Sequence, residues 1–268
     1  NAKQAQDASE MIVVEYEETN SVTKTSKALN KNSNAVWEQA PDNICFVFEL
    51  GDREKTDEAF ASAHHVTTLD IDITRVSIAP MEPRSCIGDY DPFDDRYTLY
   101  TGTQGPHGVR QAIAEPILGV QQNKLRVISE DMGGAFGMRS GPYPENILVL
   151  WTAKLLGRPV KWTGDRSEAF YSDDQARDNV VTAELALDEN GVFTGLRVMT
   201  VANLGAYLTL LGPHSSTNNL GSLSNTYRTP AIYTHVTGVF TNTNSTGPYR
   251  GAGRPEAVYC VERLIDTA

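Results

Sequence analysis

Residues 124–157 read KLRVISEDMGGAFGMRSGPYPENILVLWTAKLLG, and this stretch decides the fold class. KLRVISEDM is rich in β-branched residues and reads as a strand. Gly133, Gly134 and Gly137 then form a loop, because a residue without Cβ turns freely and lets another backbone come close. The apolar run from Pro144 to Leu156 reads as a helix, with proline at its start and Gly157 as its C-cap.

Working outward, NICFVFEL (43–50), HHVTTLDIDITRVSIAP (64–80) and RYTLYTGTQ (96–104) read as strands. PHGVRQAIAEPILGV (106–120) reads as a helix with Pro116 late in it, and PVKWTGDR (159–166) as another strand. In residues 180–207, Val181, Ala183, Leu185 and Leu187 alternate with polar neighbours, and residues 188–191 supply a turn, so a β-hairpin is expected. IYTHVTGVFTN (232–242) is the last strand. Strands and helices mix without strict βαβ alternation, which predicts an α+β fold with mixed sheets and packed helices.

At the N-terminal end AKQAQDASEMI (2–12) has helical composition, and IVVEYEE (12–18) is β-prone. Residues 21–40 are polar and rich in Asn, Ser, Thr and Lys, a linker by composition. At the other end a helix opens after Pro255, with Ala257, Val261, Leu264 and Ile265 on one stripe. It runs to Ala268 without a stop signal, so the chain is expected to be a piece of a longer one. Val261, Leu264 and Ile265 are expected to lack a covering surface.

The 23 basic and 34 acidic residues leave a net charge of -11, which argues against a nucleic-acid surface. No apolar run approaches the roughly 20 residues that span a bilayer. No signal peptide is legible, so no membrane partner and a cytoplasmic location are expected. Cys45, Cys86 and Cys260 lie far apart without metal-ligand spacing and read as reduced packing residues. The five histidines form no HExxH arrangement, which disfavours a protein-ligated zinc site.

Three strand-to-helix junctions share one grammar: YTGTQGPHGVR (100–110), EDMGGAFGMRSGPYPEN (130–146) and STGPYRGAGRPEA (245–257). Such junctions aim backbone N–H groups at anionic oxygen. They lack the Lys-Ser/Thr of a P-loop and the GxGxxG dinucleotide spacing, so a nucleotide-binding enzyme is the weaker reading. A docking or assembly module with no reaction of its own is the other alternative.

Together TQGPH, GGAFGMR and PYRGAGRPEA, in this order, resemble the cofactor-proximal segments of xanthine-oxidase-family large subunits. The branch resembled contains carbon monoxide dehydrogenase-like and aldehyde-oxidising enzymes. The likeness extends through QAQDASEMIVVEYEE, MEPRSCIGDYD, LGRPVKWTGDRSEAF, ANLGAY and GVFTNT and covers nearly the whole chain. It implies that residues 1–22 are the tail of an α/β-hammerhead domain and 23–40 a linker. Residues 41–268 would be the first molybdenum-cofactor-binding domain, truncated in its last helix.

The resemblance also implies a molybdenum–molybdopterin cofactor, with a cytosine dinucleotide form open. The reaction implied is oxidation of a small aldehyde or N-heterocycle with water as the oxygen source. Electrons would leave through a [2Fe-2S] small subunit and an FAD-binding medium subunit of a heterotrimer, single or doubled. Gln104 is similar to the family glutamine that donates to a molybdenum oxo group. Phe136 and Gly137 are similar to the loop whose backbone approaches the metal oxygens, with Gly134 beside them. Arg250, Gly251 and Ala252 are similar to the arginine loop at the cofactor. Gln104, Phe136 and Arg250 would lie near the metal without ligating it.

The family's catalytic glutamate would lie beyond Ala268, so Glu130, Glu145 and Glu256 are not assigned as the base and the chain alone would be inactive. Gly251 stands where copper-dependent carbon monoxide dehydrogenases carry cysteine. Ala252 stands where purine hydroxylases carry a phenylalanine, and the glutamate they carry near Ser140 is not present here. Ala135 replaces a glycine, a strained choice if that position needs positive φ. Arg139, where the family more often has lysine, and Arg254 read better as structural residues than as cofactor contacts.

Overall fold

In the computed structural model, which describes residues 2–218 and 220–268, the hairpin read from alternation becomes the middle of a five-stranded sheet. Along the chain come α1 (Ala2–Glu10), β1 (Ile44–Gly51), α2 (Arg53–Ala61), β2 (His65–Val76), β3 (Ser85–Asp91), β4 (Arg96–Thr101), α3 (Pro106–Ile113), β5 (Leu125–Ile128) and α4 (Pro144–Leu156). They continue as β6 (Val160–Thr163), α5 (Arg166–Ser172), β7 (Ala176–Leu187), β8 (Phe193–Asn203), α6 (His214–Thr217), β9 (Ala231–Val239) and α7 (Arg254–Thr267).

The larger sheet has the order β1-β9-β8-β7-β2, with β8 and β9 parallel and its other pairs antiparallel. Its inward residues Val181, Ala183, Leu185, Leu187, Leu196 and Val198 pack against Ala257, Cys260, Val261 and Leu264 of α7. The smaller sheet has the order β5-β4-β3-β6, with β4 and β5 parallel. Its core joins Cys86, Tyr97, Leu99 and Leu125 to Val109 and Ile113 of α3 and Val149 and Leu150 of α4. The fold is α+β with two mixed sheets, as expected.

Gly88 of β3 shows why one strand needs a glycine. A Cβ there would lie 2.5 Å from the Val149 carbonyl, so α4 crosses the sheet too closely for any side chain. Between the two halves, Ile78, Met138, Tyr143 and Ala176 form a small buried joint. The three thiols are free, and burial pushes Cys86 up to about 11 and Cys260 up to about 12, which keeps both protonated and inert.

Several expectations are corrected. IVVEYEE forms no strand: residues 12–24 carry no regular element, and Met11, Ile12, Val13, Val14 and Tyr16 are exposed. A β-prone run without a neighbouring strand leaves its ladder groups to water and gains nothing by extending. The stripe of α7 is covered, not bare: Val261 and Leu264 are buried against the large sheet, Ile265 packs beside them, and Val258 and Tyr259 face out. The helix through Pro116 stops being α at Ile113 and widens into a π turn over Ala114–Leu118, closed by Gly119 at φ +66°. Proline has no N–H to continue the ladder, and the Val120 N–H reaches back to the Ala114 carbonyl at 3.0 Å instead. β4 ends at Thr101, three residues before Gln104.

Val22 and Ala28, in the polar stretch before β1, pack on Val239 of β9. Asn43 ties that stretch down: its side chain accepts the Val36 N–H at 2.8 Å and donates to the Ala28 and Asn34 carbonyls. No helix among the described residues is long and apolar enough to cross a membrane.

Candidate functional site

The three glycine-bearing loops meet at one place, and backbone contacts bring them there. The first loop, between β4 and α3, is fixed from behind: the Thr103 hydroxyl and the Gln104 N–H both donate to the Arg139 carbonyl at 3.0 Å. That leaves the Gln104 side chain exposed, with its Oε1 accepting the Gly137 N–H of the second loop at 2.7 Å.

In the second loop, between β5 and α4, Gly134 and Gly137 both adopt φ +106° and Phe136 adopts φ +52°. Ala135 is not among the positive-φ residues and is buried, so its replacement of glycine carries no strain; the left-handed position falls on Phe136. A Cβ on Gly137 would lie 2.2 Å from the Pro248 carbonyl oxygen, so the second and third loops touch backbone to backbone. Gly134 lies under the Phe136 ring, which a Cβ there would meet at 2.9 Å.

The third loop, between β9 and α7, closes the arrangement. The Arg250 N–H donates to the Phe136 carbonyl at 2.9 Å, and the Ala252 N–H donates to the Tyr249 carbonyl at 2.6 Å. Gly251 and Ala252 take φ +94° and +46°, a tight turn that leads into α7. Gln104, Gly134, Phe136, Gly137, Arg250, Gly251 and Ala252 therefore share one patch. One detail differs from expectation: the Gly137 N–H is committed to Gln104 and does not face outward. The Gln104 side chain is exposed, and its NH2 makes no hydrogen bond among the described residues.

Sequence reading marked Arg139 as structural and missed the other supports. Arg139, 3 % exposed, donates to Glu82 Oε2 at 2.9 Å and to the Glu82 carbonyl, and that same Oε2 accepts the Gly133 N–H at 2.7 Å. Partial burial raises the Glu82 carboxyl, but the Gly133 N–H and the Arg139 guanidinium outweigh it and hold it below its ordinary value. Glu82 thus grips both ends of the glycine loop. Farther back, buried Arg84 pairs with Asp173 at 2.6 Å and Glu145 at 2.8 Å and stacks over the Tyr143 ring at 3.7 Å. Burial pushes neighbouring Asp174 up to about 7; Arg84 opposes that rise and Asp173 adds to it. The third loop rests on Arg177, which pairs with Glu256 at 2.7 Å. Glu145 and Glu256 are thus engaged in buried ion pairs. Glu82 and Arg84 both lie in the quoted MEPRSCIGDYD stretch, where neither was assigned a role.

Chemically, the patch offers an amide NH2 from Gln104 and the exposed guanidinium of Arg250, for which no described carboxylate supplies an ion pair. Both are donors suited to anionic oxygen, and small residues around them admit a large group close to backbone. The molybdopterin cofactor-binding domain family matches residues 36–268. The chain belongs to this family.

Curated relatives of this molybdopterin cofactor-binding domain agree. The chain is 34% identical over 264 residues to the 6-hydroxypseudooxynicotine dehydrogenase complex subunit gamma of Paenarthrobacter nicotinovorans, covering 98% of the chain and 33% of that protein. It is 34% identical over 277 residues to the carbon monoxide dehydrogenase large chain of Hydrogenophaga pseudoflava, covering 98% of the chain and 34% of the relative. The crystal structure of quinoline 2-oxidoreductase from Pseudomonas putida 86 superposes with a TM-score of 0.90 at 30% identity, covering 99% of the chain and 34% of that one. The chain spans about a third of the length of these relatives.

Proposed function

We propose that the patch formed by Gln104, Phe136, Gly137 and Arg250 holds the molybdopterin cofactor of a molybdenum hydroxylase large subunit. The observation that carries this reading is the bonding of three loops into one unit, Gln104 Oε1 to Gly137 N–H and Phe136 carbonyl to Arg250 N–H. The donor set fits such a group: one neutral NH2 and one guanidinium, carried on loops packed so closely that a Cβ on Gly137 would strike the Pro248 carbonyl.

When bound, the group supplies the oxidation, taking two electrons from a carbon that gains oxygen from water. The chain's own residues orient it. Gln104 Nε2 donates to an anionic oxygen, and its direction is fixed because Oε1 is already occupied. Arg250 neutralises negative charge, and the exposed Phe136 ring shields the approach from water. The proton-accepting glutamate lies outside residues 1–268 in this reading, so the chain by itself does not turn over.

The substrate class proposed is an aldehyde or an N-heterocycle. The names of similar proteins support the heterocycle: they include quinoline 2-oxidoreductase and a nicotine 6-hydroxylase large subunit. Gly251, in place of a copper-binding cysteine, argues against carbon monoxide. The partners proposed are an FAD-binding medium subunit and a [2Fe-2S] small subunit, and the location proposed is cytoplasmic. Residues 1–22 are proposed as the hammerhead tail and 23–40 as its linker.

A pure docking module is the second reading, favoured by Leu148, Trp151 and Leu155, which expose one apolar face of α4. Molybdenum and pterin analysis of the purified large subunit separates the two. Near-stoichiometric metal and pterin support the cofactor site; neither would be found in a docking module.

A further inference from the structure

Residue 250 is held on both sides of its backbone, and only one side belongs to the cofactor loops. Its N–H donates to the Phe136 carbonyl at 2.9 Å. Its carbonyl accepts Nη2 of Arg177 at 3.2 Å, from the start of β7. The same guanidinium sends Nη1 to Glu256 Oε1 at 2.7 Å, in the first turn of α7, and lies 5.0 Å from the Tyr249 ring centroid. One side chain thus touches the residue before Arg250, Arg250 itself and the helix that follows.

The reach of Arg177 depends on a kink that a strand would not adopt unaided. Arg177 and Asp178 take φ +66° and +67° in succession, left-handed values that cost free energy for residues with a Cβ. Asp178 holds the kink: its carboxylate accepts Arg75 Nε at 2.6 Å and Asn203 Nδ2 at 3.0 Å, and also the Thr25 hydroxyl. Phe136 at φ +52° and Ala252 at φ +46° are the strained residues on the other side of Arg250. Four non-glycine residues in left-handed backbone around one arginine need a common reason, and precise placement of that arginine supplies one.

We infer that Arg177 is a positioning residue that fixes the direction of Arg250 toward the bound cofactor. This rests on the cofactor reading above and adds to it a residue that does not touch the cofactor. Glu256 matters to the test, because its second oxygen is buried without a partner and Arg177 is its only ion-pair partner among the described residues. Removing Arg177 alone would strand that carboxylate and destabilise the fold for an unrelated reason.

The experiment therefore uses two variants of the complete cofactor-bearing enzyme. Arg177→Lys keeps a positive charge for Glu256 but cannot also bridge to the Arg250 carbonyl. The double variant Arg177→Met/Glu256→Gln removes both charges together and avoids the stranded carboxylate. Three quantities are read: melting temperature, molybdenum per folded chain, and the electron paramagnetic resonance line shape of the partly reduced metal. Positioning predicts near-wild-type melting in both, with molybdenum retention falling about 10- to 100-fold in the double variant, the usual effect of losing an outer-shell partner. It also predicts a broadened or shifted resonance in the lysine variant, which a merely structural role would not produce. Wild-type metal content and an unchanged resonance in both variants would overturn the inference while leaving the cofactor reading intact. Wild-type enzyme without molybdenum would defeat the cofactor reading itself, and this inference with it.

Discussion

The Gln104 side-chain carbonyl accepts the Gly137 N–H at 2.7 Å, so the residue that offers a donor to the outside is itself aimed by the neighbouring loop. The two lie 33 positions apart in sequence, and their bond makes orientation of the Gln104 NH2 a property of two loops. The same loops meet the third at Pro248 and Arg250, so a disturbance at any contact spreads to the others.

Gly137→Ala tests that coupling. The new Cβ would lie 2.2 Å from the Pro248 oxygen at a φ of +106°, so the second and third loops must part. Backbone strain of this kind costs about 1–3 kcal/mol. Each kcal/mol lowers Tm by about 2–4 °C in a domain near this size. Calorimetry with metal analysis should show lower Tm and lost molybdenum; an unchanged value of both would mean the loops do not pack as described.

Glu82→Ala releases the other end of the glycine loop. Arg139 is buried and would lose the carboxylate that accepts it at 2.9 Å, and the Gly133 N–H would lose its acceptor. Gly133 is exposed and its N–H can turn to water, but leaving the buried Arg139 donor unmade costs about 1–3 kcal/mol. Glu82→Gln, which keeps an oxygen acceptor, should lose less, and equal urea midpoints for both variants and wild type would contradict this role.

Asp174 gives stability a pH dependence of known sign. Its carboxyl, pushed up to about 7 from 3.8, binds a proton more tightly folded than unfolded. That contribution is complete below the unfolded value, declines as pH rises, and is gone above the folded value. Wild-type Tm should therefore fall between about pH 4 and 7 more steeply than that of Asp174→Asn, which cannot ionise. Parallel melting curves across that window would show that Asp174 titrates normally.

How much of this was legible in sequence depended on whether the signal was local. The hairpin of β7 and β8, the helix α4 and its Gly157 cap were legible because alternation, apolar run and glycine lie within one window. Helix α2 was not: its sequence REKTDEAFA buries only Thr56, and the useful clue was Asp52, whose carboxylate caps the Lys55 N–H. Asp165 caps α5 through the Glu168 N–H in the same way, inside a stretch read only as the end of a strand. IVVEYEE misled because propensity says nothing about whether a partner strand is present. The seven loop residues were singled out through resemblance, and composition alone would have left them as turns. Their supports, Arg139 with Glu82 and Arg177 with Glu256, join residues 57 and 79 positions apart, a separation at which periodicity carries no information.

The central claim is that the Gln104 amide faces the metal centre, and turnover per bound molybdenum in Gln104→Ala enzyme measures it most directly. Removing a preorganised donor costs about 2.7–4 kcal/mol, roughly a hundred- to thousand-fold in rate. Arg250 remains in the variant, so the lower part of that range is predicted, with Tm lowered only by the lost Gly137 contact. Unchanged turnover per molybdenum, even alongside a lower metal content, would contradict the account and leave Gln104 as a brace for the glycine loop.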